Sequence, residues 1–261
     1  MKLNMKDCSY HLGLVSISFR QHSPQEILEA VKQAGLTCIE WGSDVHAPCR
    51  DPERLHEIAH LQKKYGITCS SYGTYFRLGE TPLEELPAYI SAAKILDTHI
   101  LRLWCGTKSG ENMTENEREA LFDTCRQAAA IAEKSNVILC MESHLGTMTE
   151  RLEDSLLLMK EVNSPHFRLY WQPFQWLEAH ENLSIAQSLS HYVETVHVFQ
   201  WKAPKLNPTR FSLYEGMEEW RAYLKVIPAP RTLLLEFMPD DQLTTLPTEA
   251  EALKSIIGGL S

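Results

Sequence analysis

The chain lacks the marks of several common protein classes. Its seven cysteines (8, 38, 49, 69, 105, 125 and 140) include no Cys-x-x-Cys pair. An odd count in a chain this long reads as reduced thiols in core or strand positions rather than a disulfide framework. No stretch approaches the roughly 20 apolar residues that a membrane helix needs. Residues 1–11 carry no apolar signal segment, so a soluble, cytoplasmic protein is expected. Positive charge is in deficit, with 25 Lys and Arg against 34 Asp and Glu and a net charge of −9. Such a balance repels a phosphate backbone overall, which argues against nucleic acid as a partner. No Gly/Ser/Pro-rich linker or charge block divides the 261 residues. Gly13 stands in the first strand-like run without a G-x-G-x-x-G around it, so the signature of a dinucleotide-binding open sheet is missing.

What is present is alternation. His11–Arg20 is β-rich, and Ser23-Pro24 opens an amphipathic stretch that Gly35 stops. The following pairs read as strand and helix: Thr37–Gly42 with Pro52–Tyr65, Ile67–Tyr75 with Pro82–Leu96, and His99–Cys105 with Thr114–Lys134. Thr114 and Glu117 have the spacing of a capping box. The second half continues with Val137–Ser143 and Thr149–Val162, then Phe167–Trp171 and a helix near Asn182–Ser190. Val193–Val198 with Gly216–Val226, and Thr232–Phe237 with Thr248–Ile257, complete eight units. Parallel strands need a crossover helix between them, so eight such units predict one α/β domain over residues 1–261, a closed (β/α)8 TIM barrel.

Four of these strands end in polar side chains able to bind a metal: Glu142, Gln172, His197 and Glu236. Buried strands avoid unpaired charge because desolvation costs more than it returns. A lone strand-end glutamate is usually a cap or ion-pair partner, whereas four candidates at similar depth point to one convergent site. Barrel enzymes place their chemistry at this C-terminal end. The same rule collects Glu40, Trp41 and His46, Tyr72 and Tyr75, Trp104, His144 and Trp201. Two carboxylates, an imidazole and an amide oxygen suit Mn²⁺, Mg²⁺, Co²⁺ or Zn²⁺ better than a thiolate-preferring ion. Such an ion acidifies a hydrogen beside a carbonyl, and adjacent glutamates can move the proton. Five of the six tryptophans (41, 104, 171, 176 and 201) lie at or just past these strand ends, where aromatic faces can pack on a sugar ring or simply on each other. Lys202, Lys205 and Arg210 follow strand seven, a region where barrels often bind anions. Cys105 has no evident base to make it a nucleophile.

The motifs Met141-Glu142-Ser-His144, Val196-His197-Val198, Leu235-Glu236-Phe237, Ile39-Glu40-Trp41-Gly42 with His46, and Leu213-Tyr-Glu-Gly216 occur in an order and spacing that resemble the xylose isomerase-like sugar isomerase/epimerase superfamily. The resemblance implies one divalent metal held by Glu142, position 172, His197 and Glu236, with Glu142 and Glu236 as the acid/base pair. It also implies substrate contacts from Gln175 and, near an arginine that some members aim at substrate, Arg210, while His46, Trp104, His144 and Trp201 are further candidate substrate-binding residues at the same strand ends. Two positions depart from the pattern. The usual aspartate is Gln172, which lowers the ligand charge, and the usual histidine three residues later is Gln175.

The expected activity is isomerisation or epimerisation of a small carbohydrate through an enediolate, with homo-oligomerisation left open. The same proton abstraction followed by loss of a β-hydroxyl would make a dehydratase of a cyclitol or keto-acid ring. Gln172 and Gln175 are the argument for a non-catalytic sugar-binding barrel. The abasic-site endonucleases that share the barrel fit poorly, since they need a histidine-rich three-zinc cluster and a basic face.

Overall fold

The structure is a computed structural model and describes residues 9–202 and 208–260. Eight parallel strands close into a barrel: β1 (His11–Val15), β2 (Cys38–Gly42), β3 (Thr68–Leu78), β4 (Ile100–Cys105), β5 (Ile138–Glu142), β6 (Phe167–Trp171), β7 (Val193–Val198) and, last in the chain, β10 (Thr232–Leu235). β10 pairs with both β7 and β1, which completes the ring and removes exposed sheet edges. Helices α1 (Pro24–Gln33), α2 (Pro52–Tyr65), α3 (Leu86–Ile95), α4 (Glu115–Ser135), α5 (Leu152–Val162), α6 (Ala179–Leu189), α7 (Met217–Val226) and α8 (Leu246–Gly258) connect the strands and surround the barrel. The chain is a single-domain (β/α)8 TIM barrel.

Local chemistry sets the helix ends. Ser23 and Thr114 accept backbone N–H bonds from Glu26 and Glu117, and those glutamates bond back to the cap residues. α4 and α5 end on asparagines at positive φ, 55° for Asn136 and 42° for Asn163, a conformation that asparagine tolerates better than most residues.

Several elements differ from the sequence expectation. The first strand stops at Val15, and Ser16–Phe19 coil into a 3₁₀ turn. β3 runs to Leu78 rather than Tyr75. The helix expected from Pro82 begins as a 3₁₀ turn and becomes α-helical only at Leu86. After β7 the chain forms an unexpected antiparallel ribbon, β8 (Gln200–Lys202) against β9 (Thr209–Phe211). Three-residue strands carry too little period-2 signal to be read from sequence.

Alternation along each strand sorts residues into two layers. Outward positions, such as Leu101, Leu103, Leu139 and Met141, join the large core beneath the helices. Inward positions form a smaller cluster of Val15, Ile17, Cys38, Ile100, Cys140, Tyr170 and Leu234 that fills the barrel. Gly13 is required here, because a Cβ would collide with Cys38 and Leu234. Farther toward the C-terminal ends, the same inward parity delivers Glu40, Arg102, Glu142 and His197, all buried.

Candidate active site

Charge in the barrel centre is organised around Arg102. Its Nε lies 3.1 Å from Glu40 Oε1, and its Nη1 lies 2.5 Å from Glu142 Oε2. Glu40 also accepts bonds from Tyr170 (2.5 Å) and Ser71 (3.0 Å). Gly73 leaves the space this cluster needs, since a Cβ there would strike the Glu40 carboxylate and lie 2.9 Å from Arg102 Nη2. Burial opposes the charge of Glu40, but the guanidinium, helped by His197, holds its pKa down to about 2.

Glu142 and Glu236 end β5 and follow β10 directly. Glu142 Oε2 accepts from Arg102 and, at 2.7 Å, from Trp104 Nε1, while Oε1 accepts from Gln172 Nε2 at 3.2 Å. Burial opposes ionisation of Glu142, yet Arg102 and then His197 keep its pKa below the usual range. Glu236 experiences the reverse. Burial, reinforced by the negative charge of Glu142, pushes it up to about 7. The next residue, Phe237, has φ 51°, a costly conformation for a bulky residue, and donates its N–H to Ser18 Oγ at 2.8 Å.

His197 stands between the glutamates. Around its Nδ1 lie Gln172 Oε1 at 3.1 Å, Glu236 Oε2 at 3.5 Å and Glu142 Oε1 at 3.8 Å. Nε2 is buried without a hydrogen-bond partner, 3.8 Å from Glu40 Oε1. Burial opposes protonation of this ring, but Glu236, Glu40 and Glu142 raise its pKa above the ordinary value.

These atoms also test the fit of a divalent ion. Gln172 Oε1, Glu236 Oε2 and Glu142 Oε1 lie 3.1, 3.5 and 3.8 Å from His197 Nδ1, so an amide oxygen, two carboxylates and an imidazole face one point. Among the described residues, no group of three or more His, Cys, Asp or Glu side chains is disposed to hold an ion alone. A fourth donor would have to be the Gln172 amide oxygen, and Glu142 is already engaged by three hydrogen-bond donors. The donor chemistry fits a hard divalent cation, with a lower ligand charge than three carboxylates would provide.

A cavity of about 380 Å³ opens above the cluster. Glu142, Gln172 and Glu236 line it, together with Trp104, His144, Gln175 and Trp201. His144 Nδ1 is bound to the Leu145 carbonyl at 2.8 Å, and its ring packs 5.2 Å from Trp104. His46 lies elsewhere. It is buried against Trp41, with its nitrogens 3.1 Å from Ser16 Oγ and 3.2 Å from the His22 carbonyl, and it does not line the cavity. Arg210 is set back from the cavity, stacked over Trp201 (5.1 Å) and Phe237 (4.9 Å) and paired with Asp241. Lys202 pairs with Glu219 at 3.8 Å, and Lys205 lies outside the described residues. Trp41 and Trp171 are wholly buried, whereas Trp104, Trp176 and Trp201 reach the cavity. Cys105 is buried with its sulfur 3.6 Å from Cys125 Sγ.

Arg102 is the central residue that sequence motifs do not reveal. Ile100-Leu-Arg-Leu-Trp104 reads as an ordinary buried strand with one basic residue. Its signal is parity, because Arg102 shares the inward face of β4 with Trp104 and must therefore find acids inside the barrel.

A parallel barrel with carboxylates, an imidazole and a guanidinium at its C-terminal mouth defines an α/β-barrel protein with a charged site at that mouth. The chain belongs to the xylose isomerase-like TIM barrel family, whose model matches residues 28–256. A 3-dehydroshikimate dehydratase of Bacillus anthracis is 23% identical over 168 residues, covering 60% of this chain and 59% of that protein. The match therefore spans less than two thirds of that relative's length. A crystal structure of the probable 3-DHS dehydratase from Bacillus anthracis superposes with a TM-score of 0.79 at 18% identity, over 94% of this chain and 99% of that one. A D-allulose 3-epimerase from Methylomonas sp., in complex with D-allulose, gives 0.70 at 14% identity over 97% of each chain. At these identities the structural likeness establishes the fold.

Proposed function

We propose that this chain is a metal-assisted isomerase or epimerase of a small polyhydroxylated carbonyl compound, a sugar or sugar derivative. One observation carries the reading: the Glu142 and Glu236 carboxyls face one cavity beside His197, 3.8 and 3.5 Å from its Nδ1, with Glu142 held by Arg102 and Glu236 not. Carboxyl groups whose environments separate their proton affinities are suited to divide the roles of base and acid.

Glu142, kept ionised by Arg102, takes the proton beside the substrate carbonyl. Glu236, on the other side of His197, returns a proton to the neighbouring carbon or the opposite face. Trp104 fixes Glu142 through its indole N–H and helps keep water from the reacting carbon. Glu142, Gln172, His197 and Glu236 would hold the divalent ion, which when bound stabilises negative charge on the substrate oxygens.

Dehydration of a ring compound is a second reading. Its support is the cavity wall, where Tyr75, Trp104, Phe174, Trp201 and Phe237 offer flat surfaces and Arg102, although paired with Glu40 and Glu142, keeps Nη2 without a hydrogen-bond partner. The identity to a dehydratase agrees with it. Incubation with Mn²⁺ in D₂O separates the readings. Deuterium entering a ketohexose or aldose without loss of water supports isomerisation or epimerisation. Loss of water from 3-dehydroshikimate supports the second reading. Binding of sugars with no exchange or elimination would contradict both and support a binding barrel.

A further inference from the structure

We infer that the barrel mouth has a second subsite, and that the natural substrate is a reacting unit joined to a further sugar ring. The inference rests on the proposed carbonyl-sugar site and extends it. A separate cavity of about 320 Å³ lies beside the first, between the segments that follow β6 and β7. Phe174, Gln175, Trp176 and Trp201 line both cavities, so the two spaces share a wall. Each volume sits at the low end of the roughly 300–1,000 Å³ typical of small-molecule sites, whereas together they reach its middle.

The shared wall consists of paired aromatic rings. Trp176 packs 5.0 Å from Phe174, and Trp201 packs 4.8 Å from Phe199. Trp201 Nε1 is buried with no hydrogen-bond partner, an unmet donor at the boundary of the two spaces. Leaving such a group unpaired costs stability, so a small turn of the Trp201 ring that brought Nε1 to a ligand hydroxyl would be favoured. The far side of the second cavity is polar. Glu219 lies 3.3 Å from Gln200 Nε2 and 3.8 Å from Lys202 Nζ, and Glu178 flanks it at the start of α6.

This mixture selects the ligand. Two carboxylates against one already paired lysine, among the described lining residues, disfavour a phosphate or other anion. The polar side disfavours an acyl chain. Indole faces with carboxylate and amide acceptors suit a sugar ring, whose C–H face stacks while its hydroxyls donate.

Calorimetry on the Mn²⁺-supplemented protein tests the subsite with D-glucose and D-fructose against the reducing disaccharides cellobiose, maltose and lactulose. Ala179, half-buried in the first turn of α6, lines only the second cavity, so Ala179→Phe plugs it. Glu219→Gln removes its carboxylate without changing shape. Thermal melts establish that both variants fold. The expected result is at least one disaccharide binding about tenfold tighter than its monosaccharide in the wild type. In Ala179→Phe that advantage disappears while monosaccharide affinity stays within about twofold. In Glu219→Gln the advantage shrinks. Monosaccharide binding with no disaccharide advantage, or an advantage that survives the plug, overturns the subsite alone. Failure of sugars of either size to bind overturns the carbonyl-sugar reading as well.

Discussion

The imidazole of His197 and the carboxylate of Glu40 are both fully buried, with Nε2 3.8 Å from Oε1. This places the negative charge behind the ring, on the side away from Glu142 and Glu236. At that distance the carboxylate acts through its field rather than a hydrogen bond, and it favours positive charge on the ring and so raises the basicity of the nitrogen that faces Glu142 and Glu236.

Glu40→Gln should therefore weaken Mn²⁺ binding by about 10- to 100-fold, the usual effect of losing an outer carboxylate. Calorimetric titration of metal-free wild type and variant measures this. Glu40→Asp should recover part of the affinity because it restores the charge. An affinity unchanged in Glu40→Gln would mean that Glu40 serves Arg102 alone.

Gln172 supports two opposite predictions in one variant. Its amide donates to Glu142 Oε1 at 3.2 Å and to the Ser143 carbonyl at 2.9 Å. Gln172→Asp removes both donors and sets a carboxylate beside Glu142, so the metal-free protein should melt at a lower temperature. The added charge beside a partly buried cation is worth on the order of 1–4 kcal/mol before desolvation reduces it, so metal binding should tighten. Turnover should stay level or fall, because a more neutralised ion polarises substrate less. Calorimetry and melts with and without Mn²⁺ check both halves.

How much of this was legible beforehand divides by period. Eight alternating units, the barrel and the strand-end positions of Glu142, Gln172, His197 and Glu236 follow from parity and helix signals. The ribbon of β8 and β9 was too short to leave a pattern. His46 has a motif position at the mouth, yet two local hydrogen bonds, to Ser16 and His22, hold it below the cavity. Arg102 was hidden because its acidic partners, Glu40 and Glu142, are 62 and 40 residues away. Such pairing becomes visible only when the barrel closes.

The opposed pKa shifts give the metal-free protein a defined pH response. The Glu236 carboxyl is raised to about 7, so its contribution is complete below the ordinary carboxylate range. As pH rises to about 7, the unfolded chain releases a proton that the folded protein retains, and stability falls. His197, also raised, contributes in the same direction and loses its contribution as pH rises through its folded value. Glu40 and Glu142 are lowered, and their contributions disappear only in stronger acid. With chelator present, stability should drop by on the order of 1–3 kcal/mol between pH 5 and 8. Glu236→Gln should flatten that slope, and saturating Mn²⁺ should reverse it, because binding displaces the proton. Denaturant titrations across that range measure all three.

The central claim is that Glu142 and Glu236 move a substrate proton. The most direct measurement is hydrogen exchange at the carbon beside the carbonyl, followed by NMR in D₂O with Mn²⁺ for wild type, Glu142→Gln and Glu236→Gln. The account predicts measurable exchange by the wild type and a reduction of at least about 100-fold in each variant, the scale on which positioned acid/base groups act. Glutamine keeps the shape and an acceptor oxygen for Arg102 and Trp104 at position 142, and thermal melts establish that each variant is folded before exchange is compared. Exchange at the wild-type rate in either folded variant would contradict the assignment of that glutamate.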